Sequence, residues 1–219
     1  MKAVIFDFNG TLYDDTDIHI MAWKKIYQEI SGGKDDFDKA FRQTFGSTNR
    51  EIIKHFYEVC NKEISDEDCE MMSKEKERFY REYSVENNRC YLVPGAEDLM
   101  NYLKSKGYKL NLASASIIEN INFFFKEFKI DRWFDYDKVT YDNGTYENKT
   151  NMYRDAAENI GVELKDCLVF EDSLYGSKCA RDAGCENIIL LDPHNTKKLE
   201  EGFIAKIKDF TEVDFKIFE

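Results

Sequence analysis

A chain of 219 residues, 42% hydrophobic and 34% charged, is long enough for one large domain or two smaller ones around a sizeable core. Its net charge of −12 argues against nucleic acid or an anionic membrane as the main partner, although a local cluster of Lys or Arg could still hold an anionic small molecule. No apolar stretch reaches bilayer length, no secretory leader precedes the first apolar run, and the six cysteines form no C-x-x-C pair, so the reading is a cytoplasmic protein with reduced thiols.

In chain order, Lys2-Ala3-Val4-Ile5-Phe6 is an apolar run with β-branched members and reads as a buried strand. Asp7-Phe8-Asn9-Gly10-Thr11-Leu12 follows, with Gly10 and Thr11 able to turn and expose the backbone. Asp7 is therefore expected at the carboxyl end of a central strand, where open α/β sheets bind ligands. From Asp14 the pattern becomes helical. Ile18, Ala22, Ile26 and Ile30 recur at i+4, flanked by Trp23 and Tyr27, and Ser31-Gly32-Gly33 stops the run. Phe37, Phe41 and Phe45 suggest a short second helix. Asn49 is a candidate cap for a third, with Ile52, Ile53, Phe56 and Tyr57 as its buried face. Ser65 opens a fourth through a loose capping box with Asp68, extended by Met71, Met72, Phe79 and Tyr83. Nothing over 14–88 reads as a strand.

Near Cys90 the pattern turns to α/β. Tyr91 to Gly95 is an extended linker, Ala96 to Lys106 a helix ended by Gly107, and Tyr108 to Ala113 a strand. Ser116-Ile117-Ile118-Glu119 reads as a capping box opening a helix with Ile121, Phe124, Phe125 and Phe128. Asp137 to Tyr141 reads as a short strand, and Met152 to Ile160 as a helical stripe. Cys167 to Phe170 is a strand, Ser173 starts a helix that ends at Gly184, and Asn187 to Leu191 is a last strand before Asp192-Pro193. The alternation predicts an α/β fold: a Rossmann-like, doubly wound parallel sheet core over 1–13 and 90–219, with an inserted all-helical domain over 14–89.

Four polar elements fall at strand or helix ends: Asp7 with Asn9; Ser114 with Ala115; Lys149; and Glu171-Asp172. Each alone is as consistent with a turn, a cap or a solvated surface. Their order, with the helical insert after the first, resembles the haloacid dehalogenase-like hydrolase superfamily. The Leu112-Ala113-Ser114-Ala115-Ser116 run, the Glu171-Asp172-Ser173 triplet and His19-x-x-Ala22-Trp23 are similar to its β-phosphoglucomutase-like branch with a helical cap. That resemblance implies phosphoryl transfer to Asp7 from a small phosphorylated metabolite such as a sugar phosphate. It implies Mg²⁺ held by Asp7, the backbone carbonyl of Asn9, Glu171 and Asp172, and phosphate held by Ser114, Ala115 and Lys149. It also implies substrate contacts from His19, Arg50 and Lys74 or Lys76, in a monomer or weak dimer. Arg50, Lys74 and Lys76 read equally as solvent-facing helix decoration.

Asn9 departs from the family pattern, which has an aspartate there as general acid and base. An amide keeps the backbone carbonyl but cannot deliver a proton, a loss that costs ~10²–10⁴ in rate. Four accounts fit. The protein is a weak catalyst or a phosphate-ligand binder on the same fold; or its substrate has a good leaving group; or another group, His19 first, carries the proton; or Asn9 is not the working residue, through engineering or deamidation of the Asn9-Gly10 pair. A phosphonatase-like hydrolase would use a cap lysine as a Schiff base, with Lys24, Lys25 and Lys54 available and none singled out.

Overall fold

The computed structural model describes residues 1–33, 36–44, 47–198 and 202–218. The chain divides into two compact units, one of residues 1–14 with 90–219 and the other of residues 15–89.

In the first unit, six parallel strands form one sheet. They are β1 (Ala3–Phe6), β2 (Lys109–Ser114), β3 (Thr140–Tyr141), β4 (Cys167–Glu171), β5 (Asn187–Leu191) and β6 (Ala205–Ile207), in the order β3-β2-β1-β4-β5-β6. All four β1 side chains are buried, as its uninterrupted apolar sequence requires of a strand covered on both faces. Ala3 and Ile5 join Cys167, Val169 and Ile188 against Tyr153, Ala156 and Ala157 of one helix, α7 (Lys149–Asn159), and Cys179 and Ala180 of another, α8 (Leu174–Ala183). On the opposite face Phe6 stacks on Phe170 at 5.2 Å between ring centroids, meets Phe134 edge to face and has the tilted ring of Phe210 beside it. The sheet is thus doubly wound, as the alternation predicts. Helices α5 (Ala96–Ser105) and α6 (Ile118–Phe128) complete this unit.

The second unit holds α1 (Thr16–Ser31), α2 (Phe37–Phe41), α3 (Asn49–Val59) and α4 (Asp66–Glu86), with no strand among its described residues. The periodicity of α1 places Ile18, Ala22, Trp23, Ile26, Tyr27 and Ile30 inside, and Gly32 ends it in the left-handed conformation at φ 72°. Phe37, on α2, is buried; Phe45 lies outside the described residues.

Three local expectations are corrected. Thr48, not Asn49, caps α3, in a reciprocal capping box with Glu51; Asn49 instead donates to Glu77 at 2.8 Å and Ser73 at 3.2 Å. Ser116 does not cap α6. Ile117 holds that position without a side-chain bond, because the Ser116 hydroxyl is drawn to Asn9. The short strand near 137–141 is only Thr140–Tyr141, preceded by a 3-10 turn whose Asp135 side chain accepts from the Asp137 N–H. The buried face of α4 runs through Cys69, Lys76, Glu77, Phe79, Tyr80 and Ser84, while Met71 is exposed. All six cysteines are free thiols, and no described helix is long and apolar enough to cross a membrane.

Candidate active site

Strand register assembles the site. Phe6 pairs with Phe170 of β4 and Leu112 of β2, so the next residues, Asp7 and Glu171, emerge side by side at the carboxyl edge. The Asp7 N–H still donates to Phe170 O at 3.0 Å, which holds the strand geometry one residue further. Beyond it the chain folds tightly. Phe8 O accepts the N–H groups of Thr11, Leu12 and Tyr13, and Gly10 N–H donates to Tyr13 O at 2.7 Å. Gly10 has φ +75°, and a Cβ there would lie 2.6 Å from Asp172 Oδ2; only glycine lets that carboxylate rest on the loop.

Asp7 is 4% exposed and Glu171 fully buried. Lys149, the first residue of α7, bridges them, with Nζ 2.8 Å from Asp7 Oδ1 and 2.7 Å from Glu171 Oε1. Tyr153, one turn along α7, donates its hydroxyl to the same Glu171 oxygen at 3.0 Å. The other, Oε2, accepts from Ser173 N at 2.7 Å and Ser173 Oγ at 2.9 Å. A Cβ at Gly176 would fall on Glu171 Oε1, so the glycine makes room for this carboxylate. Glu171 is therefore the anchor for Lys149 as well as a candidate ligand. Sequence reasoning did not reach Tyr153, which it placed in a helical stripe; its hydroxyl gave no signal apart from one-turn spacing from Lys149.

Three carboxylates and one ammonium leave an excess of negative charge in a buried place. Burial, with Glu171 nearby, pushes the Asp7 carboxyl up to about 7 despite Lys149. Burial and the charges of Glu171 and Asp7 push Asp172 to about 8. Burial opposes the Glu171 charge too, but Lys149 and the Ser173 donors bring that carboxyl below its ordinary value. Burial also disfavours the Lys149 charge, and the two facing carboxylates overcome it and raise its pKa. Ligand oxygens of Asp7, Glu171 and Asp172 lie within 4.8 Å of one another. An all-oxygen, anionic set of this kind fits a hard divalent cation, which would remove the mutual repulsion.

Ser114 ends β2, fully buried, and its Oγ accepts from Ser116 N–H at 3.2 Å; Ala115 lies between the two. Ser116 Oγ in turn donates to Asn9 Oδ1 at 2.7 Å. The strand-end residues Asp7, Asn9, Glu171 and Asp172, with Lys149 and Ser114, thus all belong to the first unit.

The four candidates for substrate contacts, His19, Arg50, Lys74 and Lys76, belong to the second unit. Arg50 is exposed and paired with Asp66, and Lys74 is exposed. Lys76 is neither decoration nor open to solvent: it is 2% exposed, with Nζ 2.8 Å from both Glu77 Oε1 and His19 Nδ1, and lies over the rings of Trp23 and Tyr80. His19 stacks on Tyr80, and its Nε2 is 3.2 Å from Asp15 Oδ2. Structure brings His19 and Lys76 together; Arg50 is committed elsewhere.

A family profile described as a haloacid dehalogenase-like hydrolase matches residues 1–184. The chain belongs to the haloacid dehalogenase-like hydrolase family and is an enzyme of that family. It is 29% identical over 216 residues to the phosphorylated carbohydrates phosphatase of Thermotoga maritima, covering 95% of this chain and 94% of that one. It is 29% identical over 187 residues to the beta-phosphoglucomutase of Bacillus subtilis, covering 84% and 80%. A solved HAD hydrolase, family IA, variant 3, from Entamoeba histolytica is 32% identical and superposes with a TM-score of 0.86, covering 99% of this chain and 96% of the other.

Proposed function

We infer that the protein is a Mg²⁺-dependent phosphatase or phosphomutase that moves a phosphoryl group from a small phosphorylated metabolite onto Asp7. The observation that carries this reading is the Lys149 ammonium held between Asp7 and Glu171 at the ends of adjacent strands, with Asp172 alongside. Asp7 offers the oxygen nucleophile, and the aspartyl-phosphate it forms divides the reaction into two steps. Lys149 stays charged and bonds both the nucleophile and the incoming phosphoryl oxygens. Ser114, with backbone donors at Ala115, would hold further phosphoryl oxygens. Asp7, Asp172, Glu171 and the Asn9 carbonyl would hold the metal, which when bound neutralises charge on the phosphoryl group. Relatives named as a phosphatase of phosphorylated carbohydrates and a beta-phosphoglucomutase support a sugar phosphate or similar metabolite.

The test is a metabolite phosphatase panel run on wild type, Asp7→Ala and Asn9→Asp, with trapping of labelled phosphate on the protein. Asp7→Ala abolishes turnover and label. Asn9→Asp raises turnover on ordinary esters by ~10²–10⁴, the usual contribution of a general acid–base. A protein that binds phosphate ligands yet never carries label on Asp7 would refute the reading.

A further inference from the structure

We propose that Tyr153 is a positioning residue for phosphoryl transfer: its hydroxyl fixes Oε1 of Glu171 and, through that oxygen, holds the Lys149 ammonium on Asp7. The inference rests on phosphoryl transfer to Asp7.

The ring and the hydroxyl of Tyr153 answer to different demands. The residue is fully buried in a cluster with Ala3, Ile5, Ala156 and Val169, where the ring of phenylalanine would pack as well. A hydroxyl in such a place costs free energy unless it is bonded. Its partner is Glu171 Oε1, 3.0 Å away, an oxygen that already takes Lys149 Nζ at 2.7 Å. The phenol has a single O–H donor, and it is directed at the carboxylate that anchors the lysine.

Local structure makes that bond matter. Lys149 opens α7, at the helix end whose dipole repels a cation, so the place of its ammonium depends on the facing carboxylates rather than on the helix. Asn148 Oδ1 accepts from Thr150 N–H at 2.9 Å, which fixes where the helical backbone starts but not where the lysine reaches. Glu171 in turn rotates about a terminal torsion with a broad, twofold profile, so each of its oxygens needs donors to hold it. Ser173 supplies them to Oε2, at 2.7 Å from its N–H and 2.9 Å from its hydroxyl. Lys149 and Tyr153 supply them to Oε1. The two stand one turn apart on α7 and reach that oxygen from the same helix face.

The hydroxyl matters most while the phosphoryl group is moving. An Asp7 oxygen attacks phosphorus, the bond from phosphorus to the leaving oxygen breaks, and its electron pair leaves on that oxygen. Lys149 is then shared among Asp7, Glu171 and the phosphoryl oxygens. Its hold on Glu171 Oε1 slackens just when its own position decides how well it stabilises the charge on those oxygens. Tyr153 is the donor that stays on Oε1 throughout. Ser114 and the metal-holding carboxylates would still bind the phosphoryl group without it, so loss of the hydroxyl acts on kcat and spares KM.

The experiment compares wild type, Tyr153→Phe and Tyr108→Phe. The last is the structural control: it removes a hydroxyl bond to Phe218 O at 2.8 Å in the same unit, just before β2 begins and so at the opposite edge of the sheet. For each protein kcat and KM are measured with Mg²⁺ and acetyl phosphate, label from radiolabelled acetyl phosphate is trapped on Asp7, and Tm is read in a thermal melt. Without Mg²⁺ or substrate, heteronuclear NMR reads the exchange of the Lys149 ammonium protons with water, the signal being assigned by its loss in Lys149→Arg. Tyr153→Phe is expected to lower kcat by about ten- to a hundredfold, with KM within about threefold. It is also expected to speed Lys149 exchange about tenfold, the equivalent of one hydrogen bond to a charged group. Tyr108→Phe is expected to lower Tm and to leave kcat and Lys149 exchange as in wild type. An unchanged kcat or an unchanged exchange rate in Tyr153→Phe, or an equal loss of kcat in Tyr108→Phe, overturns the positioning role. Faster Lys149 exchange in Tyr153→Phe with no label on Asp7 in any protein supports the hold on the lysine and sinks phosphoryl transfer itself, a distinct failure.

Discussion

Replacing Lys76 with methionine removes a charge from the inside of the helical unit while keeping an unbranched side chain one atom shorter. Lys76 is 2% exposed, and the side chain of its partner Glu77 is 10% exposed. Breaking a buried ion pair from one side costs about 3–5 kcal/mol, because the remaining charge stays buried. Glu77 keeps the Asn49 amide at 2.8 Å, and methionine sulfur makes its own contact with the rings of Trp23 and Tyr80, so the lower end applies, about 3 kcal/mol. With a urea m-value of about 2 kcal/mol/M, that moves the midpoint down by about 1.5 M. The assay is urea unfolding followed by Trp23 fluorescence in a Trp133→Phe background. The two tryptophans lie in different units, so the remaining signal reports residues 15–89 alone. Adding Glu77→Gln removes the remaining buried charge and keeps the bond to Asn49, and is expected to recover most of the loss, a coupling of about 2 kcal/mol. A midpoint shift below about 0.3 M for Lys76→Met, or no recovery in the double variant, would refute the argument that this lysine is held as an internal ion pair.

Gly176→Ala drives a methyl group onto Glu171 Oε1. It is expected to lower stability by about 3 kcal/mol and Tm by about 6–12 °C in a thermal melt, together with loss of turnover as Lys149 loses its anchor. Millimolar Mg²⁺ is expected to raise the Tm of wild type by mass action, EDTA to reverse the gain, and Asp172→Ala to remove it; differential scanning fluorimetry reads all three. Burial alone would raise the Asp192 carboxyl, but the N–H groups of Lys197 and Thr196, with the Lys206 ammonium and the Thr196 hydroxyl, outweigh it and hold the group at about 2. A carboxyl depressed in the folded state stabilises above its unfolded pKa and loses that contribution as pH falls. The Tm gap between wild type and Asp192→Asn is therefore full at pH 6 and closes between about pH 4 and pH 2 in a series of thermal melts.

What the sequence made legible follows from how local each signal is. Strand β1 and the ends of β2 and β4 could be read because an unbroken apolar run followed by a polar residue marks where a parallel strand leaves the sheet. Asp7, Ser114 and Glu171 were visible for that reason. Lys149 was visible only through its order among the others, since nothing local distinguishes a buried lysine at a helix start from a solvated one. Ser116 was misread because a capping box and a serine drawn across to another strand end look identical in one dimension; the competing acceptor, Asn9, is 107 positions away. Thr48 and Asn49 are both good caps, and Glu51 decides between them by standing three residues after Thr48. Lys76 was unreadable because, beside its neighbour Glu77, the groups that enclose it include His19 and Trp23 on another helix. Strand β6 went unseen because three residues, Ala205–Ile207, carry too short an alternation to register.

The central position of β1 has a consequence for how the protein is made. It precedes the other described strands in the chain, yet its two neighbours are Lys109–Leu112 and Cys167–Phe170, so one of its edges stays open until about half of these residues are made and the other until about three quarters are. Phe210, which covers Phe6 and Phe170, arrives later still. Residues 15–89 are contiguous and can close on themselves during synthesis. The nascent chain would then carry a folded helical body with an unpaired apolar strand ahead of it, an exposed edge of the kind chaperones hold. Production of the protein should accordingly respond more to translation rate and chaperone supply than its finished stability would suggest.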